Sequence, residues 1–153
     1  MKFLFFYFLI SMQVFAYQIG DTLPNEILKT LEMDKKKVYI ISFFASWCGT
    51  CKKEIPLISR TNRKIDKNKA KIIGIDIDKN IQDAIDFQNT LKSNKNLNFQ
   101  VINDTNNKIV SEFSPIGMPT IYYVKNKKVI KILTGAIENI DIKILTDLKN
   151  MEL

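Results

Sequence analysis

The sequence predicts an α/β fold in which a central mixed β-sheet is flanked by helices on both faces. Three observations carry that prediction. The run Val38-Tyr39-Ile40-Ile41-Ser42-Phe43-Phe44 is almost continuously apolar, as a strand covered on both faces must be. Strand-like runs rich in β-branched residues then alternate with amphipathic helical patterns, the order that lays helices over a sheet. Finally, Thr120 to Val124 and Val129 to Leu133 flank the polar stretch Lys125-Asn126-Lys127-Lys128 and read as an antiparallel hairpin, which makes the sheet mixed.

The chain opens with Met1-Lys2, then eight consecutive apolar residues from Phe3 to Ile10, then Ser11-Met12-Gln13-Val14-Phe15-Ala16. A positive start, a hydrophobic centre and small or apolar residues at Val14 and Ala16 have the layout of a secretory signal, with cleavage after Ala16. The expected division is a signal peptide at 1–16 and one domain at 17–153. An uncleaved segment would instead be a membrane anchor, although the apolar stretch falls short of the roughly 18–20 residues that span a bilayer. No cysteine follows it to carry a lipid.

After the apolar strand, a helix is expected from about Cys48 to Lys67, with Ile55, Ile58 and Ile65 on its apolar side. Pro56 inside it removes one i to i−4 hydrogen bond and predicts a kink. Lys71 to Asp78 is the next strand. Asp76 and Asp78 at its end lack the further oxygen ligands of a cation loop and read as strand-end or helix-capping residues. Ile81, Ile85 and Leu91, with Ala84 and Gln88 between them, predict a helix. A short strand at Phe99 to Ile102 and a brief helix at Ile109 to Phe113 follow. In the hairpin, alternation with Lys131 pointing outward suits an edge strand. Ile140, Ile144, Leu145 and Leu148 place an apolar face on a C-terminal helix.

Composition bounds the function. At 153 residues, with 46% apolar and 25% charged residues, the chain is one globular domain rather than a disordered segment. The net charge of +7 is spread as lysines interrupted by acids. Without a basic stripe interleaved with aromatics, nucleic-acid binding is not expected. The count of histidines is zero, which excludes Ser-His-Asp and Cys-His catalysis and any imidazole metal ligand.

The chemistry concentrates in Ser46-Trp47-Cys48-Gly49-Thr50-Cys51-Lys52-Lys53-Glu54-Ile55-Pro56. Both cysteines lie where a strand gives way to a helix, so the first sulfur falls at a helix N-terminus. Unpaired N–H groups and the positive end of the macrodipole there favour a thiolate, lowering a thiol from about 8.5 toward 7 or below. Cys48 is therefore the expected nucleophile and Cys51 its resolving partner. Zinc would need four ligands, which two cysteines and no histidine cannot supply, so no metal is expected. A structural disulfide across so small a loop would contribute only roughly 2 kcal/mol.

Phe43-Phe44-Ala45-Ser46-Trp47-Cys48-Gly49-Thr50-Cys51 resembles the active-site stretch of the thioredoxin superfamily. The continuation Lys52-Lys53-Glu54-Ile55-Pro56 resembles its TlpA/ResA-type extracytoplasmic thiol-disulfide oxidoreductases. A second match, Ile116-Gly117-Met118-Pro119-Thr120-Ile121, is similar to the family's cis-proline segment ahead of a strand. The resemblance spans Ile19 to the C-terminus and implies a thioredoxin-like fold. Such proteins place a β-hairpin over residues 19–37, but this sequence is shorter there, and Asn25 to Leu31 could instead be a helical turn or two. Many cytoplasmic thioredoxins have a buried aspartate where Ser42 stands, and serine cannot take a proton from the resolving cysteine. The resemblance gives proton exchange to Glu54, whose spacing alone would suit a solvated glutamate paired with a lysine. It also implies a cis Pro119 that leaves the backbone of Met118 to pair with an extended client strand. Trp47 is read either as a shield over the client or as an ordinary packed aromatic.

The expected activity is thus disulfide exchange in the periplasm by a monomer whose only redox group is its own dithiol. The resemblance suggests reduction of client disulfides, apocytochrome c among them, with a membrane electron donor restoring the dithiol. Two readings stand beside it. An oxidant of the DsbA kind usually has histidine between its cysteines, which Gly49-Thr50 does not provide, and a non-catalytic binding module would keep the pair inaccessible.

Overall fold

The computed structural model describes residues 16–152. The signal sequence read at 1–16 lies almost wholly outside them. The described chain folds as α1 (Asn25–Thr30), β1 (Val38–Phe44), α2 (Gly49–Lys64), β2 (Ala70–Asp76), α3 (Ile81–Ser93), β3 (Gln100–Asn103), α4 (Lys108–Phe113), β4 (Thr120–Lys125), β5 (Lys128–Thr134) and α5 (Ile140–Asn150). The five strands form one sheet in the order β3-β2-β1-β4-β5. β1 runs parallel to β2 and antiparallel to β4, so the sheet is mixed as expected.

β1 is central, and all seven of its residues are buried, which accounts for its nearly unbroken apolar run. Alternate side chains feed two cores. Val38, Ile40 and Phe44 pack with Cys48, Cys51, Ile55 and Ile144 on one face, and Tyr39, Ile41 and Phe43 pack with Ile27, Ile109 and Phe113 on the other. Gly74 of β2 lies opposite Ser42, and the packing needs its missing side chain: a Cβ there would stand 2.7 Å from the Phe44 ring and 3.0 Å from Phe99.

The open question over residues 25–31 resolves as helix. Ile27 and Leu28 of α1 are buried, and Leu31 follows with no exposed surface. The preceding residues pair with β5: Gly20 N–H donates to the Val129 carbonyl at 2.8 Å, and Val129 N–H to the Asp21 carbonyl at 2.9 Å. Part of the outer edge of β5 is thereby capped. The β4–β5 turn is tighter than the sequence indicated. Asn126 and Lys127 alone form it, both with left-handed backbone (φ 51° and 68°), as a two-residue primed turn requires.

Three expectations on side-chain direction are corrected. In α3 the buried residues are Ala84, Gln88 and Leu91, while Ile81 and Ile85 are 46% and 39% exposed. Gln88 goes inward because its amide donates to buried Asp76 at 2.9 Å. Lys131 does not point freely outward but donates to Asp147 of α5 at 2.6 Å. That carboxylate is buried on the same face as Ile144 and Leu148, and Lys143 also bonds to it. Leu145 is only partly buried.

Candidate active site

β1 delivers the chain into a short turn, closed by Cys48 N–H donating to the Ala45 carbonyl at 3.1 Å, and α2 begins at the next residue. Cys48 is the N-cap of α2, and its sulfur accepts the Cys51 N–H at 3.2 Å. The first sulfur therefore occupies the helix N-terminus predicted from the strand-to-helix change. Cys48 and Cys51 are joined by a disulfide with a Cα–Cα distance of 5.3 Å. Access is unequal. Cys48 is 6% exposed and Cys51 1%, so an incoming sulfur meets Cys48 first.

Thr50 carries no signal of its own in the sequence, yet its hydroxyl lies 3.5 Å from the Cys48 sulfur. A disulfide sulfur can only accept, so Thr50 is the donor. Glu54, one turn beyond Thr50 on the helix, is 5% exposed, and its Oε1 accepts the Ile137 backbone N–H at 2.6 Å. Burial raises its carboxyl above the usual range, and the Ile137 N–H partly offsets that rise. Thr50, Glu54, Leu57 and Ile137 line a cavity of about 150 Å³. The helix thus places a buried carboxyl within one turn of the resolving cysteine.

Met118–Pro119 is a cis peptide bond. The register of β4 against β1 pairs Phe43 with Thr120, so Pro119 and Met118 continue alongside Phe44 and Ala45, next to the turn that carries the cysteines. Pro119 is buried and Met118 is partly buried, packing against both cores. Trp47 is 65% exposed and so is not an ordinary packed aromatic. It borders a groove of about 740 Å³ that also includes Ile77, Asp78, Val110 and Pro115. The structure therefore brings Cys48, Cys51, Glu54, Trp47, Met118 and Pro119 to one end of the sheet.

Two acids at the end of β2 complete the surroundings. Asp78, 3% exposed, accepts the Ser46 N–H at 2.7 Å and the Ser46 hydroxyl at 3.0 Å. Asp76, with no exposed surface, accepts the Asp78 N–H at 3.0 Å and the Gln88 amide at 2.9 Å. Burial pushes the Asp76 carboxyl up to about 6; the Gln88 amide and the Asp78 N–H oppose the rise, and the neighbouring Asp78 carboxyl adds to it. These acids read as strand-end or helix-capping residues in the sequence, but the hold of Asp78 on the active-site loop spans 32 residues and left no local signal. Among the described residues, no three His, Cys, Asp or Glu side chains gather where a metal ion could sit.

Comparison with known proteins places the chain in a family and among related folds. The family model described as AhpC/TSA family matches residues 19–132. The thiol-disulfide oxidoreductase ResA of Bacillus subtilis is 27% identical over 124 residues, covering 76% of this chain and 67% of ResA. A ResA of Bacillus cereus is 29% identical over 126 residues, covering 77% of this chain and 70% of its own. Among solved structures, StoA from Bacillus subtilis superposes with a TM-score of 0.62 at 26% identity, covering 74% of this chain and 84% of StoA. A Chlorobium tepidum thiol:disulfide interchange protein assigned as DsbE gives a TM-score of 0.73 over 88% of this chain and 98% of its own, and at 21% identity speaks to the fold.

Proposed function

This chain belongs to the AhpC/TSA family and is a thiol-disulfide oxidoreductase, and from that premise we propose that it is an exported reductase of client protein disulfides. The observation that carries the mechanism is Cys48 as helix N-cap, more exposed than Cys51 and already accepting a backbone N–H. In the reduced protein the same donors stabilise a Cys48 thiolate. That thiolate attacks one sulfur of a client disulfide. A Cys48–client bond forms, the client's own bond breaks, and the second client sulfur leaves as a thiolate that takes up a proton. Cys51 then gives its proton to Glu54 and attacks the Cys48 sulfur. The Cys48–Cys51 bond forms as the Cys48–client bond breaks, the released client sulfur leaves as a thiolate that takes up a proton, and the client departs fully reduced with two electrons from the dithiol.

Burial supports the role of Glu54. A carboxylate whose affinity for a proton is raised by burial takes one from a thiol more readily than a solvated one. Exposed Trp47, next to Cys48 in the chain, and the Met118–Pro119 segment, which continues β4 beside the Ala45–Cys48 turn, support binding of an extended client chain at the disulfide. The dithiol is the only redox group this cycle needs. A dithiol donor at the membrane would restore it, and apocytochrome c, with two cysteines to be kept reduced, is a client of the right chemistry.

The deciding experiment equilibrates the Cys48–Cys51 pair with glutathione. A potential well below about −180 mV is expected for a reductant, and one near about −120 mV would overturn this direction in favour of an oxidant. Export is tested separately. Amino-terminal sequencing of protein from the cell envelope should begin at Tyr17, and recovery of an intact Met1 would replace cleavage with an anchor.

A further inference from the structure

Asp78 is an expensive residue to keep where it is. A carboxylate 3% exposed costs several kcal/mol to desolvate unless partners repay it. The salt bridges among the described residues join Arg60 to Asp141, Lys108 to Glu26, and Lys131 and Lys143 to Asp147, and none reaches Asp78. Each of its oxygens instead accepts from Ser46, one from the backbone N–H and one from the hydroxyl, with the Asp76 carboxyl as its other close neighbour. Behind it the strand end is fastened. Asp76 holds the Asp78 N–H, Ile77 N–H donates to the Phe44 carbonyl at 3.0 Å, and Asp104 N–H donates to the Asp76 carbonyl at 2.7 Å.

Ser46 lies inside the turn that the Cys48 N–H closes on Ala45. Trp47 and Cys48 follow it directly, so the orientation of Ser46 sets theirs. We propose that Asp78 is a positioning residue for disulfide exchange: by gripping Ser46 at two points it fixes the Ala45–Cys48 turn and the line along which Cys48 meets a client sulfur. This rests on the oxidoreductase reading above. Bidentate capture gives Asp78 directional control that a single hydrogen bond would lack, and Asp78 lines the same groove as Trp47, the residue before Cys48.

The test compares Asp78→Ala, Asp78→Asn and Ser46→Ala in the full chain with two readouts. One is the emission and anisotropy of Trp47, the sole tryptophan, in the oxidised protein without any client. The other is the rate constant and the equilibrium constant for exchange between the reduced protein and oxidised glutathione. Asparagine can still accept the Ser46 N–H and donate to its hydroxyl, so Asp78→Asn should remain within about threefold of wild type in rate. Asp78→Ala should slow exchange about tenfold or more and loosen Trp47, while shifting the equilibrium constant less than about twofold, because positioning acts on both directions alike. Ser46→Ala, which keeps the N–H and loses the hydroxyl, should fall between them. Asp78→Asn as slow as Asp78→Ala would overturn positioning in favour of a role for the charge, and unchanged rates and emission in Asp78→Ala would overturn it outright. Where Asp78→Ala does not fold, Ser46→Ala exchanging slower than Asp78→Asn supports the proposal, and Ser46→Ala at the wild-type rate overturns it. A wild-type protein inert toward oxidised glutathione would sink the oxidoreductase reading instead, and the Trp47 measurement would still decide whether Asp78 holds the turn.

Discussion

Glu54 Oε1 accepts the backbone N–H of Ile137 at 2.6 Å, which ties the active-site helix to the segment leading into α5. The side chain proposed to move a proton is therefore also a tertiary tether. Glutamine can keep the tether and cannot titrate. Glu54→Gln should fold normally and resolve the mixed disulfide roughly tenfold more slowly near neutral pH, measured by quenched-flow trapping. Glu54→Ala, which frees a partly buried N–H, should lose about 1–3 kcal/mol in urea unfolding as well. Equal resolution rates in Glu54→Gln and wild type would remove Glu54 from the proton path.

Asp76 makes stability depend on pH. Its folded carboxyl is raised to about 6 by burial, above its unfolded value, so the folded state binds the proton more tightly. The associated stability is fully present below about pH 4 and is lost as pH rises through about 6. Unfolding free energies measured between pH 4 and 7 should fall with pH in the wild type and run flatter in Asp76→Asn. A parallel pair of curves would show that Asp76 does not titrate in that window.

Unequal exposure of the two sulfurs predicts unequal variants. Cys48→Ser should abolish exchange, whereas Cys51→Ser should retain attack and accumulate mixed disulfides visible on non-reducing gels. Equal residual activity in the two would undo the assignment.

Gly74→Ala tests the packing beneath the site. A methyl 2.7 Å from the Phe44 ring forces that ring or β2 to shift, at a cost of about 1–3 kcal/mol in unfolding free energy. Because Phe44 ends the strand that feeds the Ala45–Cys48 turn, exchange rates should fall with stability.

The elements that the sequence alone settled are those whose signal is local. Val38 to Phe44 had to be a central strand, because burial on both faces leaves almost no polar position, and all seven residues are indeed buried. Cys48 had to fall at a helix N-terminus, because the change from strand to helix pattern occurs at that residue. Tertiary structure alone decided which polar side chains turn inward. Nothing local in α3 distinguishes Gln88 from its neighbours, and it is buried in preference to Ile81 and Ile85 because Asp76 at the end of β2 needs its amide. Lys131 follows Asp147 for the same reason. The grip of Asp78 on Ser46 belongs to this second class, since a buried polar group is stabilised by its partner and the partner comes from a distant part of the chain.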